Sequence, residues 1–99
     1  MTSIVKTWHW QVRDLNQFKK LHRVFKDKHM KKTGASSMNL RRDLTSEDGL
    51  YYADVFFDKF ADLDKWDGFF QTKAGMKFGE AMCKPAKCFA RDYCENIDY

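Results

Sequence analysis

Apolar and polar positions alternate from Ser3 to Arg13. Ile4, Trp8, Trp10 and Val12 fall on one side, and Val5, Thr7, His9 and Gln11 on the other. A period of two in β-branched and aromatic residues predicts a strand. Lys6 is a blemish, because it lies on the tryptophan side near the strand start. Asp14 then opens a helix, and Gln17 completes the spacing of a capping box. Leu15, Phe18, Leu21, His22 and Phe25 recur at helical intervals, while Lys19, Lys20, Arg23 and Lys26 mostly take the other side. Gly34 is the expected stop.

Alternation returns from Ser36 to Thr45, with Met38, Leu40, Arg42 and Leu44 on one face and Ser37, Asn39, Arg41 and Asp43 on the other. Ser46-Glu47-Asp48-Gly49 is turn chemistry, and Leu50 to Lys59 forms the return strand. If Thr45 faces Leu50, then Leu44 meets Tyr51, Arg42 meets Ala53, Leu40 meets Val55 and Met38 meets Phe57. On the opposite face Arg41 meets Asp54 and Asp43 meets Tyr52. A slip of one residue would turn Met38, Leu40 and Leu44 against the polar side. Asp62 is expected to cap a second helix carrying Leu63, Trp66, Phe69, Phe70 and Lys73. Gly75 is expected to break it, and Met76 to Cys83 to add a further turn or two, ended by Pro85. The last strand runs from Lys87 to Ile97, with Phe89, Arg91, Tyr93 and Ile97 alternating with Cys88, Ala90 and Cys94.

The order strand, helix, strand, strand, helix, strand predicts an α+β, ferredoxin-like βαββαβ sandwich, a single domain over residues 1–99. Its antiparallel four-stranded sheet would have helices on one face. The uncovered face still carries large rings, Tyr52 and Phe56 among them, and so predicts a partner surface for a homodimer.

Composition refines this picture. Nine Phe, four Tyr and three Trp among 99 residues are more rings than one small core needs, so a partner or a ligand pocket should take the rest. The net charge of +4 is mild, and much of the excess lies in Lys19 to Lys32, as expected for the outer face of a helix. No apolar run is long enough to span a membrane. Three cysteines, Cys83, Cys88 and Cys94, without a secretory leader pattern in Met1 to Trp10, lead us to expect free thiols in a reducing cytoplasmic setting. Cys88 and Cys94 on one strand would stand about 20 Å apart, too far to share an ion. No metal and no cofactor are expected. Nor is there a nucleophile triad or a phosphate loop.

The whole element order resembles the dimeric α+β barrel superfamily, and within it small domains of the antibiotic-biosynthesis-monooxygenase and stress-responsive barrel kind. The most specific stretch is Tyr52 to Met82. There an aromatic strand ends in Phe57-Asp58-Lys59-Phe60, a helix carries Leu63 and Trp66, and a broken helical piece, Lys73 to Met82, precedes the last strand. The resemblance implies two sheets facing each other across a dimer axis and a ligand site between sheet and helices. It spans cofactor-free oxygenases, haem-degrading enzymes, isomerases and members without known activity, so fold does not settle function. Trp66 resembles the helix tryptophan of the haem-degrading members. However, no histidine follows His29, and Ser3 to Arg13 has no asparagine, which disfavours haem degradation.

The candidate residues each carry two readings. Arg42, between Leu40 and Leu44, would hold a carboxylate or phenolate if it is covered, or snorkel to solvent if it lies near the sheet edge. His9 and His22 are the candidate general bases, or else a hydrogen-bonded interface histidine and a core or rim histidine. Tyr51 and Trp66 would line a ligand site or pack the core. Arg91 would touch a ligand or form an ion pair across the dimer. The expected function is to bind or transform a small aromatic or anionic molecule, by monooxygenase-like or isomerase-like chemistry without a cofactor. A non-catalytic binding or stress-type barrel is the alternative. An RNA-recognition domain shares the element order, but its third strand should carry a basic-Gly-aromatic signature. Here Asp48-Gly49-Leu50-Tyr51-Tyr52 is acidic where a basic residue belongs, so nucleic acid is not the expected partner.

Overall fold

A computed structural model describes residues 3–97. The elements are β1 (Ile4–Val12), α1 (Leu15–Lys28), β2 (Ser37–Arg42), β3 (Leu50–Phe57), α2 (Ala61–Phe70), α3 (Lys73–Met82) and β4 (Ala86–Glu95). The strands form one antiparallel sheet in the order β2-β3-β1-β4. This is the α+β, ferredoxin-like arrangement. No helix among the described residues is long and apolar enough to cross a membrane.

The helices pack on one sheet face. Ile4, Val55 and Phe57 from the sheet meet Phe25 of α1 and Trp66 and Phe69 of α2 in one buried cluster. Phe18, Met82 and Ala86 form a second. Phe25 is the hinge of the aromatic core, with ring centroids 4.6 Å from Phe78 and 5.5 Å from Trp66. Tilted and edge-on rings at these separations add to the area they bury.

The capping expectation at Asp14 holds, since its carboxylate accepts from the Gln17 amide at 3.1 Å. The helix is shorter than its periodicity indicates. It ends at Lys28, and a 3-10 turn over Met30–Thr33 fills the space up to Gly34, whose φ of 81° closes that turn.

Four expectations need correction. Asp62 is not a cap. It lies in the first turn of α2, buried, with its carboxylate 3.6 Å from the Lys65 ammonium. The helix breaks at Gln71 and Thr72 rather than at Gly75. Thr72 caps α3 by accepting from the Gly75 amide, so α3 is a full helix from Lys73. Gly75 serves close approach instead, because a Cβ there would lie 2.3 Å from the Phe69 carbonyl oxygen.

The β2–β3 register is slipped by two residues from the expected one. Met38 faces Val55, Leu40 faces Ala53, Arg41 faces Tyr52 and Arg42 faces Tyr51. The cause lies in residues 43–49. The Asp43 carboxylate accepts from the Thr45 amide at 2.8 Å and from its hydroxyl, an Asx turn that ends the strand early and leaves Leu44 85% exposed. A slip of two keeps every side chain on its expected face, so the apolar pattern cannot detect it.

Finally, β4 carries a bulge. His9 faces Ala90 but Trp10 faces Cys88, leaving Phe89 unpaired. The bulge flips the parity of β4, so Cys88 shares the helix-covered side with Trp10, while Cys94 stays opposite Val5 on the open side. The expectation that both cysteines share a face therefore fails. All three cysteines are free thiols.

Candidate functional site

A cavity of about 780 Å³ lies between the sheet and the helices. That volume is in the range that small-molecule sites occupy. Trp8 and Trp10 of β1, Phe25 of α1, Trp66 and Phe70 of α2 and Phe78 of α3 make its walls aromatic. Trp66 is only 4% exposed, and its ring lies 5.4 Å from Trp8, so it belongs to the core and the cavity wall at once.

Polar groups punctuate these walls. Lys6 is 6% exposed, and its ammonium lies 4.8 Å from the Trp8 ring and 4.6 Å from the Tyr93 ring. Two aromatic faces hold the cation where water does not reach it freely. Arg91, opposite Trp8 on β4, adds a second cation to the lining. His22 is half-buried on α1. Its Nδ1 lies 2.9 Å from the Phe18 carbonyl oxygen, which can only accept. Nδ1 therefore carries the proton, and in the neutral ring Nε2 is left as a lone pair. Burial lowers the His22 pKa below its ordinary value, against the opposing pull of the Phe18 carbonyl. The neutral, lone-pair form is thus the resting form at neutral pH.

Of the sequence candidates, the cavity brings together His22, Trp66 and Arg91. Arg42 and Tyr51 lie elsewhere. The register slip puts Arg42 opposite Tyr51 at the end of the edge strand β2, exposed, and Tyr51 packs 6.2 Å from Phe18 in the second core cluster. His9 stands on the open sheet face, where its Nε2 lies 2.6 Å from the Asp92 carboxylate and its ring 4.8 Å from Tyr52.

Lys6 and Trp10 were not among the candidates. Lys6 gave a visible signal, as a lysine on the apolar side of a strand. Trp10 gave none, since a strand tryptophan reads as core until its surroundings are known.

The open face is a polar and aromatic surface of a different kind. Asp54, 4% exposed, accepts from the Thr7 hydroxyl at 2.8 Å and from Arg41 at 2.9 Å. Arg41 also stacks 4.9 Å from the Tyr52 ring, and the Tyr52 hydroxyl donates to Asp43. The Thr45 hydroxyl and amide, together with Tyr52, hold the Asp43 carboxyl down to about 2.

Solved structures share the fold. A cofactor-independent oxygenase, SnoaB, from Streptomyces nogalater aligns with a TM-score of 0.72 at 9% identity, over 100% of this chain and 95% of that one. A protein from Bordetella bronchiseptica assigned as an antibiotic biosynthesis monooxygenase aligns at 0.71 and 11% identity, over 100% and 99%. A dimeric ferredoxin-like protein from an uncultured marine organism aligns at 0.70 and 10% identity, over 100% and 99%. The chain shares their ferredoxin-like fold. Neither a family model nor a curated protein sequence matches it. Identities this low carry the ferredoxin-like architecture and not the chemistry, which rests on the cavity's own residues.

Proposed function

We propose that this protein is a homodimeric, cofactor-independent oxygenase acting on a planar hydroxyaromatic compound held in the cavity between sheet and helices. The observation that carries the reading is the pairing of an aromatic-walled cavity with a caged cation, Lys6, and a neutral histidine, His22. The aromatic walls select a flat ligand. Lys6 and Arg91, against the single acid Asp67 among the described residues of the same lining, favour negative charge on it, and His22 Nε2 is a lone pair able to take the hydroxyl proton. An oxygenase without a cofactor must draw electrons for dioxygen from the substrate itself, and a phenolate gives them up far more readily than a phenol. The similarity of the fold to a cofactor-independent oxygenase supports the same reading.

For a simple substrate the balance is closed. One 1-naphthol and one dioxygen give one 1,4-naphthoquinone and one water, with His22 taking the hydroxyl proton and the ring supplying the electrons. The test follows oxygen uptake with 1-naphthol under ¹⁸O₂. One labelled oxygen in the quinone, and uptake reduced on the order of a hundredfold in His22→Gln, is the expected result, in line with the usual worth of a general base. Saturable binding of 1-naphthol without uptake would reject the oxygenase and leave a non-catalytic binding protein.

A further inference from the structure

Helix α3 has an empty position on its inward side. Gly75, Phe78, Gly79 and Met82 recur at spacings of three and four, the stripe that a helix turns toward its core. Three of the four are committed to packing. Gly75 and Met82 are buried, and Phe78 packs against both core clusters. Gly79 is not. A Cβ there would meet no atom within 4 Å beyond its own helix backbone and its chain neighbours, yet the residue is half-buried and lines the cavity.

Glycine at this place costs stability and has no conformational reason. It is the least favourable helix residue after proline. Gly79 lies inside α3, and its φ is not positive as those of Gly34 and Gly49 are. The other helical glycines are placed differently. Gly75 admits no Cβ, because the Phe69 carbonyl oxygen would stand 2.3 Å away, and Gly68 is exposed and outside the cavity lining. What Gly79 provides is room inside the cavity. The surrounding lining from the helices is aromatic, with Phe70 and Phe78 among it, so the room suits a flat apolar body.

We infer that Gly79 is a specificity-determining residue, and that the gap left by its missing side chain takes the second ring of a fused-ring ligand, whose edge lies against the α3 backbone. The inference rests on the cavity reading given under Proposed function and narrows its substrate class from hydroxyarenes at large to fused ones of two or more rings. A single ring leaves the gap unfilled and forfeits the contacts that a second ring makes there. A side chain at position 79 would project into the same space, because the helix turns this stripe inward. It would therefore compete with the second ring and not with the first.

The test titrates 1-naphthol and phenol, which differ by one fused ring, against wild type, Gly79→Leu and Gly79→Ala by NMR. Wild type should prefer 1-naphthol by about tenfold or more, as burial of the added ring predicts. Gly79→Leu should weaken 1-naphthol by about tenfold and phenol hardly at all. Gly79→Ala should weaken 1-naphthol by a smaller factor, about twofold to threefold, and should raise the thermal midpoint by roughly 4 °C. A gain in stability paired with a selective loss of the larger ligand is a combination that a purely structural glycine does not give. The alanine variant keeps the comparison decisive if the leucine variant folds poorly. Equal weakening of both ligands, undiminished 1-naphthol binding in the variants, or no preference for 1-naphthol in wild type would overturn the role of Gly79 while leaving the cavity reading intact. A lower midpoint in Gly79→Ala would overturn it too, since the added methyl would then be meeting something. Failure of wild type to bind either ligand would overturn the cavity reading and the role of Gly79 together.

Discussion

His22 shows how one backbone contact decides a side chain's chemistry. Four residues along α1 place its ring against the Phe18 carbonyl, and that oxygen fixes the proton on Nδ1. Burial then lowers its pKa from 6.5. In the unfolded chain the ring titrates at its ordinary value, so between that value and the lowered one the unfolded state binds more protons. Stability therefore rises with pH through this window, is fully present above about 6.5, and is lost as pH falls through the folded value. Thermal midpoints measured from pH 7.5 to 5 should decline more steeply in wild type than in His22→Gln. Equal slopes would mean that the ring is not desolvated. The lowered carboxyl of Asp43 acts in a separate window, present above the ordinary carboxylate range and lost as pH falls through about 2, and does not confuse the readout. At this scale the sequence was partly legible. His22 stood out as a histidine on an apolar helical stripe. Lys6 was visible as an anomaly but its cage was not, because Trp8 and Tyr93 reach it from two different strands.

Among the elements, what the pattern could express was faces, and what it could not express was register and breaks. Alternation placed Met38 and Leu40 on the covered side and Arg41 on the open side, as found. It was blind to the two-residue slip, because the side-chain period is itself two. The slip was decided by the Asp43 turn, a local side-chain competition that hydrophobic pattern does not encode. Likewise Gly75 read as a breaker, since glycine usually is one. Its reason for being there is the approach of α3 to Phe69, a tertiary fact. The open sheet face was legible as half-apolar, and Val5, His9, Tyr52 and Phe56 do line a shallow depression on it around the Asp54 network. Within the proposal that this face pairs with a second copy, light scattering should give a mass near twice 11.8 kDa, and Phe56→Glu should give a folded monomer. A monomeric wild type, or a dimer indifferent to Phe56→Glu, would remove the sheet face as the interface.

At the scale of the whole molecule, charge and aromaticity, which looked like separate features of the composition, meet in one place. Much of the +4 net charge lies on Lys19 to Lys32, but Lys6 is buried and, with the exposed Arg91, belongs to the lining of an aromatic cavity. A buried cation needs compensation, and π faces supply only part of it. Anion binding at the Lys6 end is therefore the central claim, and it is most directly tested by calorimetric titration of 2-naphthoate against its neutral analogue 2-naphthamide. Wild type should bind one naphthoate per chain and prefer it to the amide by about tenfold or more, as expected for a hydrogen bond to a charged group. Lys6→Met, similar in length and still folded, should erase the preference while keeping the amide's affinity. Equal affinity for the two ligands in wild type, or an undiminished preference in Lys6→Met, would contradict the account.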